Sequence, residues 1–264
     1  MGHSHVFVVS HIVLAVLSIC YPFNSIAQTE ETNVTDEYRG VTVDELAYAI
    51  RSAFGNVAWW ECGKAMDQPQ DIESRSVVYA KTFIERAREK RVSPVMMTAI
   101  VEQESTYDEC ALGKRARDRA KLPMHPSYDQ TYAELGTKEK RSRYGLHHIE
   151  VGAAQYMWPR ASMDGQQEAV SLRQAMTMDW SIGNLGRSLA SYLDRALSSR
   201  PQGFTFVNAK RRPVLVPANF GYFVYHNSST GDNDRYFFTI KSRGSRIMKA
   251  IDRYRADAGK RSGA

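Results

Sequence analysis

Apolar residues recur along most of this chain at three- and four-residue spacing, the period of an amphipathic helix, and no stretch alternates regularly enough to predict a strand. The clearest helix start is at Thr42, where Glu45 completes a capping box and Val43, Leu46, Ile50 and Phe54 continue as one stripe. A second helix is predicted over residues 76–90, with Val77, Ala80, Phe83, Ile84 and Ala87 on one face. Ser93-Pro94 opens a third, with serine as N-cap and proline at the first helical position. Residues 177–196 carry Met178, Ile182, Leu185, Leu189 and Leu193 at the same period, and residues 236–254 predict a closing helix. From residue 111 the pattern dissolves into a basic stretch holding Lys114, Arg115, Arg117, Arg119 and Lys121, which predicts an inserted loop or subdomain over about residues 111–145. The expected fold is all-α: a segment 28–75 with one helix, a helical domain over 76–255, and a frayed polar tail at 256–264.

The first 27 residues contain no Asp, Glu, Lys or Arg, and their apolar run ends at Ser25-Ile26-Ala27, a small-x-small pattern suited to a signal peptidase. Residues 1–27 therefore predict a signal peptide, with an uncleaved anchor as the alternative. Removing them removes Cys20 and leaves Cys62 and Cys110 in an oxidising compartment, where two cysteines predict one disulfide, the alternative being two separate buried thiols. The formal net charge of +6 favours an anionic partner such as wall polymer or a membrane surface met peripherally. Nucleic acid is not an expected partner of an exported chain.

The third helix adds the first sign of chemistry. Met97, Ile100, Val101 and Glu104 stand at i, i+3, i+4 and i+7, so a glutamate takes the next place on the core-facing stripe. Glu102 lies roughly 200° round the helix and is expected to reach water, so that Glu102→Gln should be a mild change. A carboxyl pressed into apolar surroundings has its charged form disfavoured and its pKa raised towards the range of a general acid. The alternative is a helix-end Glu104 that bends to solvent or pairs with an arginine.

Ala99-Ile100-Val101-Glu102-Gln103-Glu104-Ser105 resembles the glutamate-serine motif of the soluble lytic transglycosylases, and Val92-Ser93-Pro94 and Tyr107-Asp108 are similar to its flanks. Gly152-Ala153-Ala154-Gln155-Tyr156-Met157-Trp158-Pro159 resembles the family's second motif, and residues 179–193 its next helix. Tyr225-His226-Asn227-Ser228-Ser229 stands in place of its usual Ala-Tyr-Asn-Ala-Gly, with His226 where tyrosine is usual if Asn227 is aligned. The resemblance implies a lysozyme-like helical domain that cleaves the bond between N-acetylmuramic acid and N-acetylglucosamine in peptidoglycan. One carboxyl, carried over to Glu104, protonates the bridging oxygen and then takes the proton of the muramic 6-hydroxyl as a 1,6-anhydro ring closes. Ordinary glycosidases set a second carboxylate across the bond.

Substrate contacts implied by the same motifs fall to Ser105, Gln155, Tyr156, Tyr225, His226 and Asn227. Each has a structural alternative: a helix-end hydroxyl for Ser105, a loop brace for Gln155, core packing for Tyr156 and Trp158, and bracing for the third-motif residues. No cofactor or metal is implied, since adjacent His147 and His148 with Glu150 point in different directions and lack a clear third ligand. The expected partners are peptidoglycan strands, with a cell-wall-spanning assembly as a further candidate. A hydrolytic muramidase on the same scaffold, or a glycan-binding protein whose site has decayed, are the competing readings.

Overall fold

The computed structural model describes residues 40–54, 68–69, 71–111, 129, 134, 149–158 and 170–262. The expected signal peptide, Cys62, His147, His148 and nearly all of residues 112–145 lie outside them. The described part is mostly helical. It runs α1 (Val43–Phe54), α2 (Ile72–Lys90), α3 (Pro94–Glu104), β1 (Ile149–Val151), β2 (Tyr156–Trp158), α4 (Leu172–Met176), α5 (Met178–Ser199), β3 (Phe204–Val207), β4 (Pro213–Val216), α6 (Ala218–Gly221), a 3-10 turn (Tyr222–His226) and α7 (Asp234–Ser262). No described helix is long and apolar enough to cross a membrane.

The capping chemistry read from sequence sets the helix starts. Glu45 Nα donates to Thr42 Oγ1 at 3.3 Å while Thr42 Nα donates to Glu45 Oε2 at 2.8 Å, the reciprocal bonds of a capping box. Ser93 Oγ accepts from Met96 Nα at 3.2 Å, and Thr177 caps α5 through Trp180 Nα at 3.3 Å. α2 begins earlier than its apolar pattern predicts, because Asp71 accepts from Ser74 Nα at 2.6 Å. Its buried face is Ser76, Tyr79, Ala80, Phe83 and Ala87, so Val77, expected inside, is 38% exposed. Tyr79 and Phe83 decide this: turning the bulkier rings inward leaves Val77 at the edge.

α3 lies at the centre of the packing, touching α2, α5 and α7. Residues 94 to 102 are all buried, so the helix is covered on every side rather than along one stripe. That overturns the expected exposure of Glu102. Its side chain is 4% exposed and is held by Arg243 and Arg246 of α7, with Arg243 Nη1 at 2.6 Å from Oε1. α7 is longer than predicted: it continues through residues 256–261, exposed but helical, instead of fraying there. Ala256, Ala258, Lys260 and Arg261 are strong helix formers, and Lys260 reaches Asp257 at 3.4 Å.

Two antiparallel hairpins were not foreseen. β1 pairs with β2, Val151 facing Tyr156, across the four-residue turn 152–155. β3 pairs with β4 and buries Phe204 and Phe206 while Thr205 and Val207 face out. Phe206 stacks on Phe237 of α7 at 4.2 Å, and Phe237 on Phe223 at 5.5 Å. This aromatic stack seats the start of α7, and with it Tyr236, against the rest of the core.

Because Glu102 is buried and answers two guanidinium groups, Glu102→Gln should lower the unfolding free energy by about 3 kcal/mol, the low end for breaking a buried ion pair since both arginines keep some water contact. Urea denaturation measures this. A loss near zero would show that the two arginines do not hold α7 to α3.

Candidate functional site

Glu104 is the last residue of α3, and the backbone that follows leaves the helix sharply: Thr106 and Tyr107 both take left-handed conformations, at φ of 56° and 63°. Two such residues in succession are costly unless their surroundings fix them. Here they do. Tyr79 Oη donates to the Tyr107 carbonyl at 2.6 Å, Cys110 Nα donates to Asp108 Oδ1 at 3.0 Å, and Glu109 is buried in an ion pair with Arg75 of α2. Cys110 is disulfide-bonded; Cys62, its expected partner, lies outside the described residues. The carboxyl is thus presented from a rigid helix end.

Tyr236, one turn into α7, donates its hydroxyl to Glu104 Oε1 at 2.8 Å. No described residue hydrogen-bonds Oε2. Burial raises the Glu104 pKa above the ordinary carboxylate range; the Tyr236 hydrogen bond draws it back, the negative charge of Glu150 on β1 adds to the rise, and Arg243 opposes it. Tyr236 is itself pushed well above its usual value, by burial first and then by the Glu104 charge, so its hydroxyl stays a donor. His226 sits beside this pair, its ring 6.4 Å from that of Tyr236 and 5.4 Å from that of Tyr156. Its Nδ1 lies 3.4 Å from Tyr156 Oη. Burial lowers the His226 pKa to about 4, against a smaller opposing effect of a hydrogen bond to the Ala154 backbone, so the imidazole is neutral at neutral pH.

The loop bearing the second motif is built by close approach. Gly152 has φ of +75°, and a Cβ there would meet the Ala175 carbonyl and Ser181 Oγ at 3.0 Å, so only glycine fits. Gly152 Nα donates to the Ala111 carbonyl at 3.0 Å. Gln155 Nε2 donates to the same carbonyl at 3.1 Å and to that of Gly152 at 2.9 Å. Both amide protons of Gln155 are therefore engaged in bracing, and its carbonyl oxygen is the atom left for another partner.

The other motif residues divide. Ser105 Oγ donates to the Val101 carbonyl at 3.1 Å, a helix-end bond that leaves its oxygen free to accept. Tyr156 and His226 are brought to Glu104 through Tyr236. Tyr225 is not: it is buried against Phe204 at 5.7 Å, with Arg195 over its ring at 4.4 Å, because the 3-10 turn points successive side chains to different sides. Asn227 is exposed and accepts from Asn233 Nδ2 at 2.6 Å, bracing the approach to α7. Sequence reading missed Tyr236 and Arg243. Their spacing of seven on the predicted closing helix was the available signal, since it puts both on the face turned to α3.

No family model, curated protein or solved structure matches the chain.

The direction of each influence on Glu104 can be measured by following its carboxyl resonance with pH. Tyr236→Phe removes a bond that favours the charged form and should move the midpoint up; Glu150→Gln removes a repelling charge and should move it down. A raised folded-state pKa means that the fold loses stability as pH climbs from the unfolded value through the folded one. Glu104→Gln removes that loss, so its melting temperature at neutral pH should be no lower than the parent's. A lower one would show that the ionised carboxylate is structural.

Proposed function

We propose that the protein is an exported peptidoglycan lytic transglycosylase on a lysozyme-like helical scaffold. The observation that carries this reading is Glu104: a half-buried carboxyl with raised pKa, one oxygen anchored by Tyr236 and the other without a described partner. A carboxyl held this way keeps its proton to higher pH than an exposed one and can deliver it from a fixed position. In the proposed reaction it protonates the oxygen leaving muramic C1 as that bond breaks. The carboxylate so formed then takes the proton of the muramic 6-hydroxyl as its oxygen bonds to C1, which gives the 1,6-anhydro product and restores the protonated acid. Tyr236 remains a donor through both halves and stabilises the carboxylate between them. Tyr156 and neutral His226 wall the same site and are the candidates for sugar contacts, with the Gln155 carbonyl and Ser105 hydroxyl oxygen as further acceptors.

The backbone hydrogen bond from Gly152 to Ala111 supports an insertion at 111–145, because it brings the start of that stretch to a residue shortly beyond its expected end. A chain that leaves and returns at one point can be long without disturbing the core. Export through residues 1–27 is part of the proposal, and the mature protein should begin near Gln28 when its amino terminus is sequenced after secretion; an intact Met1 would sink that part.

One observation favours the hydrolytic alternative. The charge of Glu150 on β1 raises the Glu104 pKa, so a second carboxylate lies within electrostatic reach of it. Product analysis of digested wall separates the readings: anhydro ends for the transglycosylase, reducing ends for the hydrolase, intact bound glycan for a binding protein. Glu104→Gln should cut release of anhydromuropeptides by about 10,000-fold, the upper end for a general acid–base group, with the fold retained. Glu150→Gln should leave the products anhydro and shift the alkaline limb of the pH profile downward. Loss of all turnover in Glu150→Gln would instead favour hydrolysis.

A further inference from the structure

The β3–β4 hairpin has a second face that the core does not use. Phe204, Phe206 and Val216 turn inward, while Thr205, Val207, Pro213 and Leu215 are exposed. Thr205 pairs with Leu215 and Val207 with Pro213, so these four share the outer face. The solvated face of a hairpin is ordinarily polar, yet three of the four are apolar. Leu215 is 68% exposed and Val207 47%, two of the four exposed large apolar side chains among the described residues.

The tip carries Lys210, Arg211 and Arg212 in succession, all exposed and none in an ion pair with the described residues. Asn208 fixes this turn: its Oδ1 accepts from Lys210 Nα at 2.9 Å and from Arg212 Nα at 3.0 Å, and its Nα donates to the Arg212 carbonyl at 3.0 Å. A groove of about 1070 Å³, lined by residues 207–210 on one side and by α7 on the other, separates the tip from the helix. From residue 195 to 231 the chain has five cations and no Asp or Glu, so nothing nearby in sequence offsets the tip.

Three apolar side chains fall far short of the roughly 800 Å² per partner that a specific protein interface uses. A bilayer asks for no shaped counterpart. Small apolar groups enter its headgroup layer while Lys and Arg stems carry their charges to anionic headgroups. We infer that the β3–β4 hairpin docks the protein on the surface of an anionic lipid bilayer, with Val207, Pro213 and Leu215 entering the headgroup layer and Lys210, Arg211 and Arg212 meeting lipid phosphates. The docking surface contains none of the residues of the Glu104 site.

The test is co-sedimentation of the full secreted chain with vesicles of phosphatidylcholine alone and of phosphatidylcholine mixed with phosphatidylglycerol. The parent should bind the anionic vesicles and leave them as salt is added. Lys210→Gln/Arg211→Gln/Arg212→Gln should weaken binding about a hundredfold, at about fivefold for each charge. Val207→Ser/Leu215→Ser should weaken it about tenfold with the melting temperature kept, since both positions are exposed. Lys241→Gln/Lys249→Gln/Arg253→Gln removes the same charge from exposed positions of α7 and should cost less than about threefold. An equal loss in the α7 and hairpin charge variants would show that net charge alone holds the protein, and would overturn the inference. So would equal binding to the two kinds of vesicle, or parent-like binding by both hairpin variants. Binding of isolated wall polymer through the hairpin cations, with vesicles left unbound, would assign the face to the wall and overturn it as well. Glu104→Gln should bind vesicles as the parent does, so a failed glycosidic reading leaves the docking standing and failed docking leaves turnover of soluble glycan standing.

Discussion

The molecule depends on how a central helix surrounded on every side accommodates a carboxylate. α3 is packed by α2, α5 and α7, and burial runs unbroken from residue 94 to Glu102. A charge in that position is tolerated only with compensating charge and hydrogen bonds. α7 supplies both through Arg243 and Arg246, and Arg243 Nε also donates to Gln103 at 3.0 Å. These contacts set the rotation of α7 about its axis. The stack of Phe237 on Phe206 and Phe223 sets its position along α3. With both fixed, Tyr236 has one direction to point, and Glu104 lies there.

Glu102 and Glu104 show how two carboxyls on one helix acquire different characters. Glu102 meets two cations, so its environment favours the ion. Glu104 meets a neutral hydroxyl, a second carboxylate at longer range and a desolvating wall, so its environment favours the acid. The distinction comes from what α7 and β1 present to each, not from which is nearer to water. Spacing therefore places Glu104 at a partly buried position but misplaces Glu102. A face can be inferred from spacing only where a helix has an exposed side, and α3 at Glu102 has none.

Features encoded within a few residues were legible in the sequence: the capping box at Thr42, the serine–proline start of α3 and the period of α5. Features decided by distant partners were not. Asp71 caps α2 locally through Ser74, but Ile72 is the one apolar residue ahead of Val77, so the apolar stripe does not mark that start. The β3–β4 hairpin is too short for its alternation to stand out, although Phe204 and Phe206 flanked by Gly203 and Pro217 carry the pattern. Tyr225 and His226 are adjacent in one motif, and only the 3-10 turn decides that the first enters the aromatic core while the second faces Tyr156. Tyr236, the residue that touches Glu104, lies 132 positions away from it in the chain.

Arg243 joins these parts electrostatically. It neutralises Glu102, draws the Glu104 pKa down, and lines the groove between the β3–β4 hairpin tip and α7. A cation shared among three places cannot serve each fully. Removing its charge would leave Glu102 buried with less compensation and would let the Glu104 pKa rise further. Arg243, with 29% of its side chain exposed, therefore couples the charge of buried Glu102 to the acidity of Glu104.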